Sequence, residues 1–438
     1  MFENKNILIF GFGLTGKSAL KAMSKFTGSL YVYDKNEENL KDDLNIRFNI
    51  FKEEDFDLID LIIKSPGISP DNELLIRARD KGIKILSDIE VAYKITKCKN
   101  LIAITGTNGK TTTTTIVSEI LSRERTTYTV GNIGKGILDV ALDAREDDFI
   151  VIESSSFQLE NTEDFKPKVS AITNITVDHL DWHKSMENYK NAKFKIFKNQ
   201  DENDFTILNY RDNTLNALKF NRNIFYFALK DENKLGCYVK NDKVYFRNND
   251  LREEEILSVK DIKIPGTHNL ENILTAVTIS KCLNISNKII KDTISNFSGV
   301  EHRMEFVKNL DGVIYYNDSK GTNPDSTIMA INSIDENIIL IAGGYDKKAD
   351  YSEMLKIGRK KIKALILMGQ TSDTIESVAG PMGYNIYKVN DLKEAVLTAK
   401  DLSKDGDTVL LSPACASWGM YSSYEERGRH FKNLVSGL

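Results

Sequence analysis

Short apolar runs rich in Ile, Val, Leu, Phe and Tyr recur along the chain, and many of them end in Gly, Ser, Asp or Glu. An early group holds "NILIF", "SLYVYD" and "LIDLIIKSPG". A middle group holds "LIAITG", "DFIVIESSS", "VSAITNI" and "FTILNY", and a late group "GVIYYNDS", "NIILIAGG", "ALILMG" and "TVLLSP". Helical patterns separate the runs. Strands of this kind alternating with helices mark parallel α/β sheets, because a parallel pair needs a crossover long enough to hold a helix. At 438 residues the chain is too long for one core, and length alone suggests about three domains. The expected organisation is α/β throughout. It comprises three α/β domains over 1–93, 94–298 and 299–438. Region 210–262, rich in Asn, Asp and Lys, reads as an antiparallel elaboration of the middle domain, with a hairpin turn at Asn241–Asp242. Open α/β sheets bind ligands at the carboxyl ends of their strands, so the polar residues that end these runs are the first candidates for a site.

Two glycine loops compete for a nucleotide. "GFGLTGKS" (Gly11–Ser18) satisfies both G-x-G-x-x-G and G-x-x-x-x-G-K-[ST]. The next strand ends in Asp34, where a carboxylate suits a ribose hydroxyl. The neighbouring "SPG" (Ser65–Gly67) reads as another ligand-facing turn. The loop is therefore read as a Rossmann-like nucleotide site with Lys17 on a helix surface; a glycine turn that only packs helix on strand is the plainer alternative. The second loop, Thr105–Thr112, misses the P-loop pattern because Ile104 stands at its first glycine. Even so, Gly106 and Gly109 let backbone N–H groups face an anion at a helix N-terminus. Lys110 can reach β- and γ-phosphates, and Thr111 sets a hydroxyl where Mg²⁺ sits. Threonine is a poor helix former, so the run Thr111–Thr115 is not a choice for helix stability.

A triphosphate loop needs a carboxylate for its metal, and Glu153 ends the next strong strand. "AITNITVDHLDWH" then offers His179 and His183. His179, His268 and His302 sit in loop-like motifs, although a lone histidine is more often structural than a ligand. The four cysteines are far apart and form no C-x-x-C pair, so neither zinc nor a disulfide framework is indicated. A net charge of −4 argues against non-specific nucleic-acid binding. The N-terminus enters a strand at once, and no apolar run approaches the ~20 residues that cross a bilayer. No membrane association is expected, and the expected location is cytoplasmic.

Together these residues resemble the Mur ligase family over essentially the whole chain. "TGTNGKTTT" carries the family likeness. Narrower marks are "NDSKGTNPDST" (Asn317–Thr327), "AGGYDKKADY" (Ala342–Tyr351) and "LLSPACASWGMYSSYEERG" (Leu410–Gly428), with no "DNPR"-type motif. Gly321 stands where Ala is commoner in the family, and Tyr345 where Asp is usual. The resemblance implies a monomeric, ATP-dependent ligase of cytoplasmic peptidoglycan precursor synthesis, with a Rossmann-like N-terminal domain, a central P-loop-type ATPase domain with a mainly parallel sheet, and a Rossmann-like α/β C-terminal domain. It would join D-glutamate to UDP-N-acetylmuramoyl-L-alanine through an acyl phosphate.

By the same resemblance Leu14, Thr15, Asp34, Lys35 and Gly67 would hold the UDP part, and Asn132 the muramoyl-alanine part. ATP would lie on Gly106, Thr107, Asn108, Gly109, Lys110, Thr111 and Thr112, with Asn269 and Asn272 on the adenine side. Arg303 would reach the phosphates, Asp318 the ribose, and Lys320 the transferring phosphoryl group. Thr322, Lys347, Ser417 and Tyr424 would bind D-glutamate. Two Mg²⁺ ions are implied. Thr111 and Glu153 would hold one; His179 would help hold the other, supported by Lys193 carbamylated by CO₂. Plainer readings stay open: Asn269 as a helix cap, Lys347 and Lys348 as a solvated pair, Tyr424 as helix packing, and Lys193 on a solvated helix face. A nicotinamide-dependent oxidoreductase would leave the second loop unexplained. A nucleotide switch would leave the late loops unexplained.

Overall fold

The computed structural model describes residues 1–36, 39–40, 46–133, 135–219, 223–346 and 349–438. It divides into two compact units, Met1–Ile262 with His268–Asn296, and Lys263–Thr267 with Phe297–Leu438.

The first unit carries two sheets. The N-terminal sheet contains β1 (Lys5–Phe10), β2 (Gly28–Tyr33), β3 (Asn49–Ile50), β4 (Leu61–Lys64) and β5 (Lys84–Leu86), in the order β3-β2-β1-β4-β5. Every pairing in it is parallel. The central sheet contains β6 (Asn100–Thr105), β7 (Thr127–Gly131), β8 (Phe149–Glu153), β9 (Val169–Ile172) and β10 (Phe205–Asn209). It continues with β11 (Asn223–Ala228), β12 (Gly236–Lys240), β13 (Lys243–Arg247) and β14 (Glu253–Ser258). The order is β14-β13-β12-β11-β10-β9-β6-β8-β7. The strands β6, β8, β9 and β10 are buried along nearly their whole length and mostly apolar because both faces are covered, which is the rule for parallel sheets.

The expectation for 210–262 needs one correction. β11 pairs parallel with both β10 and β12, and only β12-β13-β14 is antiparallel. The short helix Asn213–Asn216 supplies the crossover that a parallel β10–β11 pair requires. The hairpin turns at Asn241 and Asp242, with φ of 51° and 56°, between Lys240 and its partner Lys243. Positive φ at both central residues is the type I′ geometry that matches strand twist.

A buried acid joins the two sheets of this unit. Glu90, on the helix Asp88–Ile95, accepts from the backbone N–H groups of Glu163, Asp164 and Phe165 at 2.9, 3.0 and 3.0 Å. Lys94 pairs with it at 3.0 Å.

The second unit carries β15 (Glu305–Leu310), β16 (Val313–Asn317), β17 (Ile338–Ala342), β18 (Ile362–Leu367), β19 (Ile386–Lys388) and β20 (Thr408–Leu411). The order is β15-β16-β20-β17-β18-β19, with only the β15 edge antiparallel. Alternate residues of β17 feed two cores, Ile338, Leu340 and Ala342 on one face and Ile339 and Ile341 on the other.

Arg427, on the last helix Tyr424–Ser436, is almost fully buried between two loops. Its Nε donates to Ser319 Oγ at 3.0 Å, its Nη2 to the Ser319 carbonyl at 2.8 Å, and both Nη groups to the Cys415 carbonyl at 3.3 Å. Burial pushes its pKa down to about 10. Replacing it by an apolar chain of similar length leaves those carbonyls without a donor. Arg427→Met should therefore cost about 2–3 kcal/mol, read as a lower urea midpoint at unchanged slope. An unshifted midpoint would refute this tie.

Candidate active site

The first glycine loop leaves β1. Gly11 has φ 95°, and a Cβ there would lie 2.8 Å from Ser65 Oγ. A Cβ on Gly16 would lie 2.0 Å from the Gly11 carbonyl oxygen, so this glycine lets the helix Leu14–Met23 press onto the turn. Asp34, just after β2, accepts from Phe12 N–H at 2.6 Å, Asn36 N–H at 2.9 Å and Asn39 Nδ2 at 3.0 Å. Burial would raise its pKa, but these bonds outweigh it and hold the carboxyl below its ordinary value. Ser65 Oγ, just after β4, donates to the Gly11 carbonyl at 3.0 Å. Parallel strands thus bring the Gly11, Asp34 and Ser65 segments to one carboxyl edge. Leu14 is 89% exposed there, and Lys35 and Gly67 are also exposed, while Thr15 is partly covered.

The second loop leaves β6. Ile104, the residue that breaks the P-loop pattern, is a buried strand residue in register with Glu153 of β8 and Ala171 of β9. The strand simply continues, and the loop starts at Gly106. Gly106 has φ 146°, with Thr173 Oγ1 1.9 Å from where a Cβ would stand. Gly109 has φ 84°, with Asn272 Oδ1 2.2 Å away by the same measure. Any side chain at either position would displace the loop. The segment after β9 clamps it. Asn108 N–H donates to Asn174 Oδ1 at 2.9 Å, Thr107 N–H to the Asn174 carbonyl at 2.9 Å, and Thr176 N–H to Thr107 Oγ1 at 3.0 Å. Lys110 opens the helix Lys110–Ser122, and its Nζ donates to the carbonyls of Gly106 and Thr107 at 2.9 and 2.8 Å. Thr111, Thr112, Thr113 and Thr114 are all buried, so packing rather than helix propensity selects the threonine run.

Glu153 is buried at the end of β8. Its Oε1 accepts from Asn132 Nδ2 at 3.1 Å, and its Oε2 is buried with no hydrogen-bond partner among the described residues. A buried carboxylate oxygen without a donor is costly unless a cation neutralises it. Glu153 and Thr111 thus fit a divalent cation at the phosphate loop.

His179 has φ 52° and opens the helix Leu180–His183. Its ring meets Phe157 edge-on at 4.8 Å, and Phe157 belongs to the helix Ser156–Glu160 that follows Glu153. Its Nε2 lies 3.3 Å from Asp178 Oδ2. His183 is a packing residue, stacked on Phe157 at 5.5 Å with Nε2 2.9 Å from Ser156 Oγ.

Two of the plainer readings fail. Lys193 does not lie on a solvated face. It is 2% exposed, on the last turn of the helix Met186–Phe194. Its Nζ donates to the Gly106 carbonyl at 2.8 Å and to Thr105 Oγ1 at 3.4 Å. Burial, reinforced by the charge of Lys110, drives its pKa well below the ordinary lysine value. Asn269 does not cap its helix, which begins at Thr267. It is buried in the first turn, with its Oδ1 3.5 Å from Asn272 Nδ2.

In the second unit, Asp318 follows β16. It accepts from Ser412 Oγ at 2.7 Å and from Met304 N–H at 3.3 Å. Burial raises its pKa to about 6, against the pull of Ser412 and Arg303. Arg303 Nε is buried with no hydrogen-bond partner among the described residues. Lys320 Nζ lies 5.4 Å from the Tyr424 ring centroid, and Tyr424 meets His302 edge-on at 6.2 Å. A Cβ on Gly321 would stand 2.5 Å from Asp318 Oδ2, so glycine leaves room for the Asp318–Ser412 bond. Thr322 is partly exposed on the same loop, and Ser417 is buried beside Trp418, whose ring meets Tyr345 at 5.5 Å. Lys347 and Lys348 lie outside the described residues.

Thr173, Asn174 and Ser412 support these loops and were not singled out by sequence. They immediately follow β9 and β20, so the rule about carboxyl ends of strands could have found them. Among the described residues no helix is long and apolar enough to cross a membrane.

Parallel sheets, a glycine-built phosphate loop and a buried carboxylate beside its first strand define a multidomain nucleotide-dependent enzyme. Comparison with known proteins gives the family. Residues 5–87 match the Mur ligase MurD-like N-terminal domain, 104–280 the Mur ligase middle domain, and 302–415 the Mur ligase glutamate ligase domain. The chain is 45% identical over 449 residues to the UDP-N-acetylmuramoylalanine--D-glutamate ligase of Clostridioides difficile (strain 630), covering 100% of this chain and 99% of that one. It is 44% identical to the enzyme of that name from Thermoanaerobacter sp. (strain X514), with the same coverage. Among solved structures, the UDP-N-acetylmuramate-alanine ligase MurC of Thermotoga maritima superposes with a TM-score of 0.60 at 20% identity, over 99% of each chain. The MurF ligase of Thermotoga maritima in complex with ADP gives 0.61 at 16% identity, over 99% of this chain and 96% of that one. The chain belongs to the Mur ligase family, ATP-dependent amide-bond-forming ligases of peptidoglycan precursor synthesis.

Proposed function

We propose that this chain joins D-glutamate to UDP-N-acetylmuramoyl-L-alanine with ATP. The observation that carries the reading is the full-length identity to relatives bearing that name, over a chain whose phosphate loop is intact. A carboxylate is a poor electrophile, and amide formation in water is uphill. Moving the γ-phosphoryl group of ATP onto the alanyl carboxylate solves both problems. The amine of D-glutamate then attacks the acyl phosphate, and phosphate leaves. Cationic groups must offset the charge that two anions bring together.

In this reading the loop Gly106–Thr112 and Lys110 hold the ATP phosphates, and Asn269 and Asn272 lie toward the adenine. Thr111 and Glu153 would hold a Mg²⁺, which would supply charge neutralisation at the phosphates. His179 with a carbamylated Lys193 provides for a second ion. Carbamate formation needs a neutral amine, and the buried Lys193 beside Lys110 favours that form. Leu14, Thr15, Asp34, Lys35 and Gly67 receive the UDP part, and Asn132 the muramoyl-alanine part. Arg303 would reach the phosphates, Asp318 the ribose and Lys320 the transferring phosphoryl group. Thr322, Lys347, Ser417 and Tyr424 hold D-glutamate. The division into 1–93, 94–298 and 299–438 belongs to the same reading, as does a cytoplasmic monomer.

The test is ADP release with UDP-N-acetylmuramoyl-L-alanine and a panel of amino acids. Turnover should require both substrates and select D-glutamate. Equal use of L- and D-glutamate, or turnover with nucleotide alone, would overturn it.

A further inference from the structure

Lys64 ends β4 and is 3% exposed. Its Nζ donates to the Ser65 carbonyl at 3.2 Å and the Ile68 carbonyl at 2.9 Å, bracing the Ser65–Ile68 turn from beneath. The same ammonium lies 5.5 Å from the ring centroid of Trp182, on the helix that His179 opens. On its other side the turn is bonded to the first glycine loop through Ser65 Oγ and the Gly11 carbonyl. One buried cation therefore lies between the turn carrying Gly67 and the helix carrying His179.

Burial lowers the Lys64 pKa to about 8, while the carboxylates of Glu160 and Asp88 pull it back up. A buried cation is expensive unless it is paired and hydrogen-bonded, and the bonds of Lys64 go to the turn carbonyls. A parallel tie, Lys184 to Asp71 at 3.3 Å, is exposed on both sides and worth little.

We infer that Lys64 is a positioning residue for the UDP-substrate, locking the Ser65–Ile68 turn to the helix Leu180–His183 so that substrate turn and His179 share one frame. The inference rests on the function proposed above. An apolar chain of equal length would fill the volume but take the ammonium from the Ile68 carbonyl and leave the Ser65 carbonyl with Ile68 N–H at 3.2 Å, so the turn would relax. The effect belongs to substrate binding and not to the phosphate loop, which is braced by Asn174, Tyr189 and Lys193 instead.

The experiment is calorimetric binding of UDP-N-acetylmuramoyl-L-alanine and, separately, of ATP to the full chain. K64M should weaken UDP-substrate binding about tenfold and leave ATP binding within about twofold. K64R keeps the charge and donors on a bulkier, planar group, so it should bind the UDP-substrate more tightly than K64M though less tightly than the wild type. Unchanged binding by folded K64M, or K64R as weak as K64M, would overturn the inference. So would an equal loss for both ligands, which marks a merely structural role. Should K64M fail to fold, W182L removes only the ring and should still weaken the UDP-substrate selectively; no change would overturn the lock. A wild type that binds ATP but not the UDP-substrate would overturn the functional reading itself, and is distinguishable from every Lys64 outcome.

Discussion

Lys110→Ala should lower kcat/KM by about a hundredfold or more while the protein stays folded. The side chain opens the helix at the phosphate loop, and its ammonium is held by the Gly106 and Thr107 carbonyls. In the proposed function it faces phosphate oxygens during turnover. Two charge-assisted bonds at about 1.5–3 kcal/mol each correspond to at least two decades in rate. The loop itself is held by Asn174, Thr173 and Tyr189, none of which the substitution touches. The melting temperature should therefore move by only a few degrees, on the order of 2–4 °C per kcal/mol lost. The control is Lys17→Ala, which removes the lysine of the loop that fits the P-loop pattern fully. ATP affinity should be unchanged in that variant. A rise of about tenfold in its ATP dissociation constant, about 1.4 kcal/mol, would show that the two loops are assigned backwards.

Lys193→Ala should lose most activity and regain part of it from a small carboxylic acid supplied at high concentration. The structure places Lys193 under the phosphate loop, with Nζ 2.8 Å from the Gly106 carbonyl and 4.7 Å from the Tyr189 ring centroid. An ordinary lysine is neutral in only about one molecule in 2,500 at pH 7, too few for ready reaction with CO₂. Burial and the neighbouring Lys110 shift this lysine toward the neutral amine. If the product carboxylate supports a metal, an added carboxylate can do part of the same work. Lys195→Ala is the contrast, because that ammonium donates to the Glu160 carbonyl. Full activity in Lys193→Ala, or no rescue by any carboxylate, would return Lys193 to a packing role. Cavity formation alone gives a stability loss that no carboxylate repairs, which keeps the two explanations apart.

By itself the sequence determined the parallel α/β class, because runs apolar on both faces leave no other stable packing. It also determined both glycine loops and Glu153, because strand, turn and helix follow one another within a few residues and the carboxyl-end rule is local. It did not determine that Ile104 is strand rather than a missing loop glycine, since only the register with Glu153 and Ala171 shows where β6 stops. Nor could it choose between a solvated and a buried Lys193. Lysines at 190, 193, 195 and 198 look alike in a helical pattern, and only the packing of that helix against the phosphate loop selects which one loses its water. Lys64, Glu90 and Arg427 were invisible for the same reason. Their partners lie on other elements, Trp182 for Lys64, the 163–165 backbone for Glu90, and Ser319 and Cys415 for Arg427. A buried charge is defined by what surrounds it, and that is set by chain segments far apart in sequence that only the tertiary fold brings together.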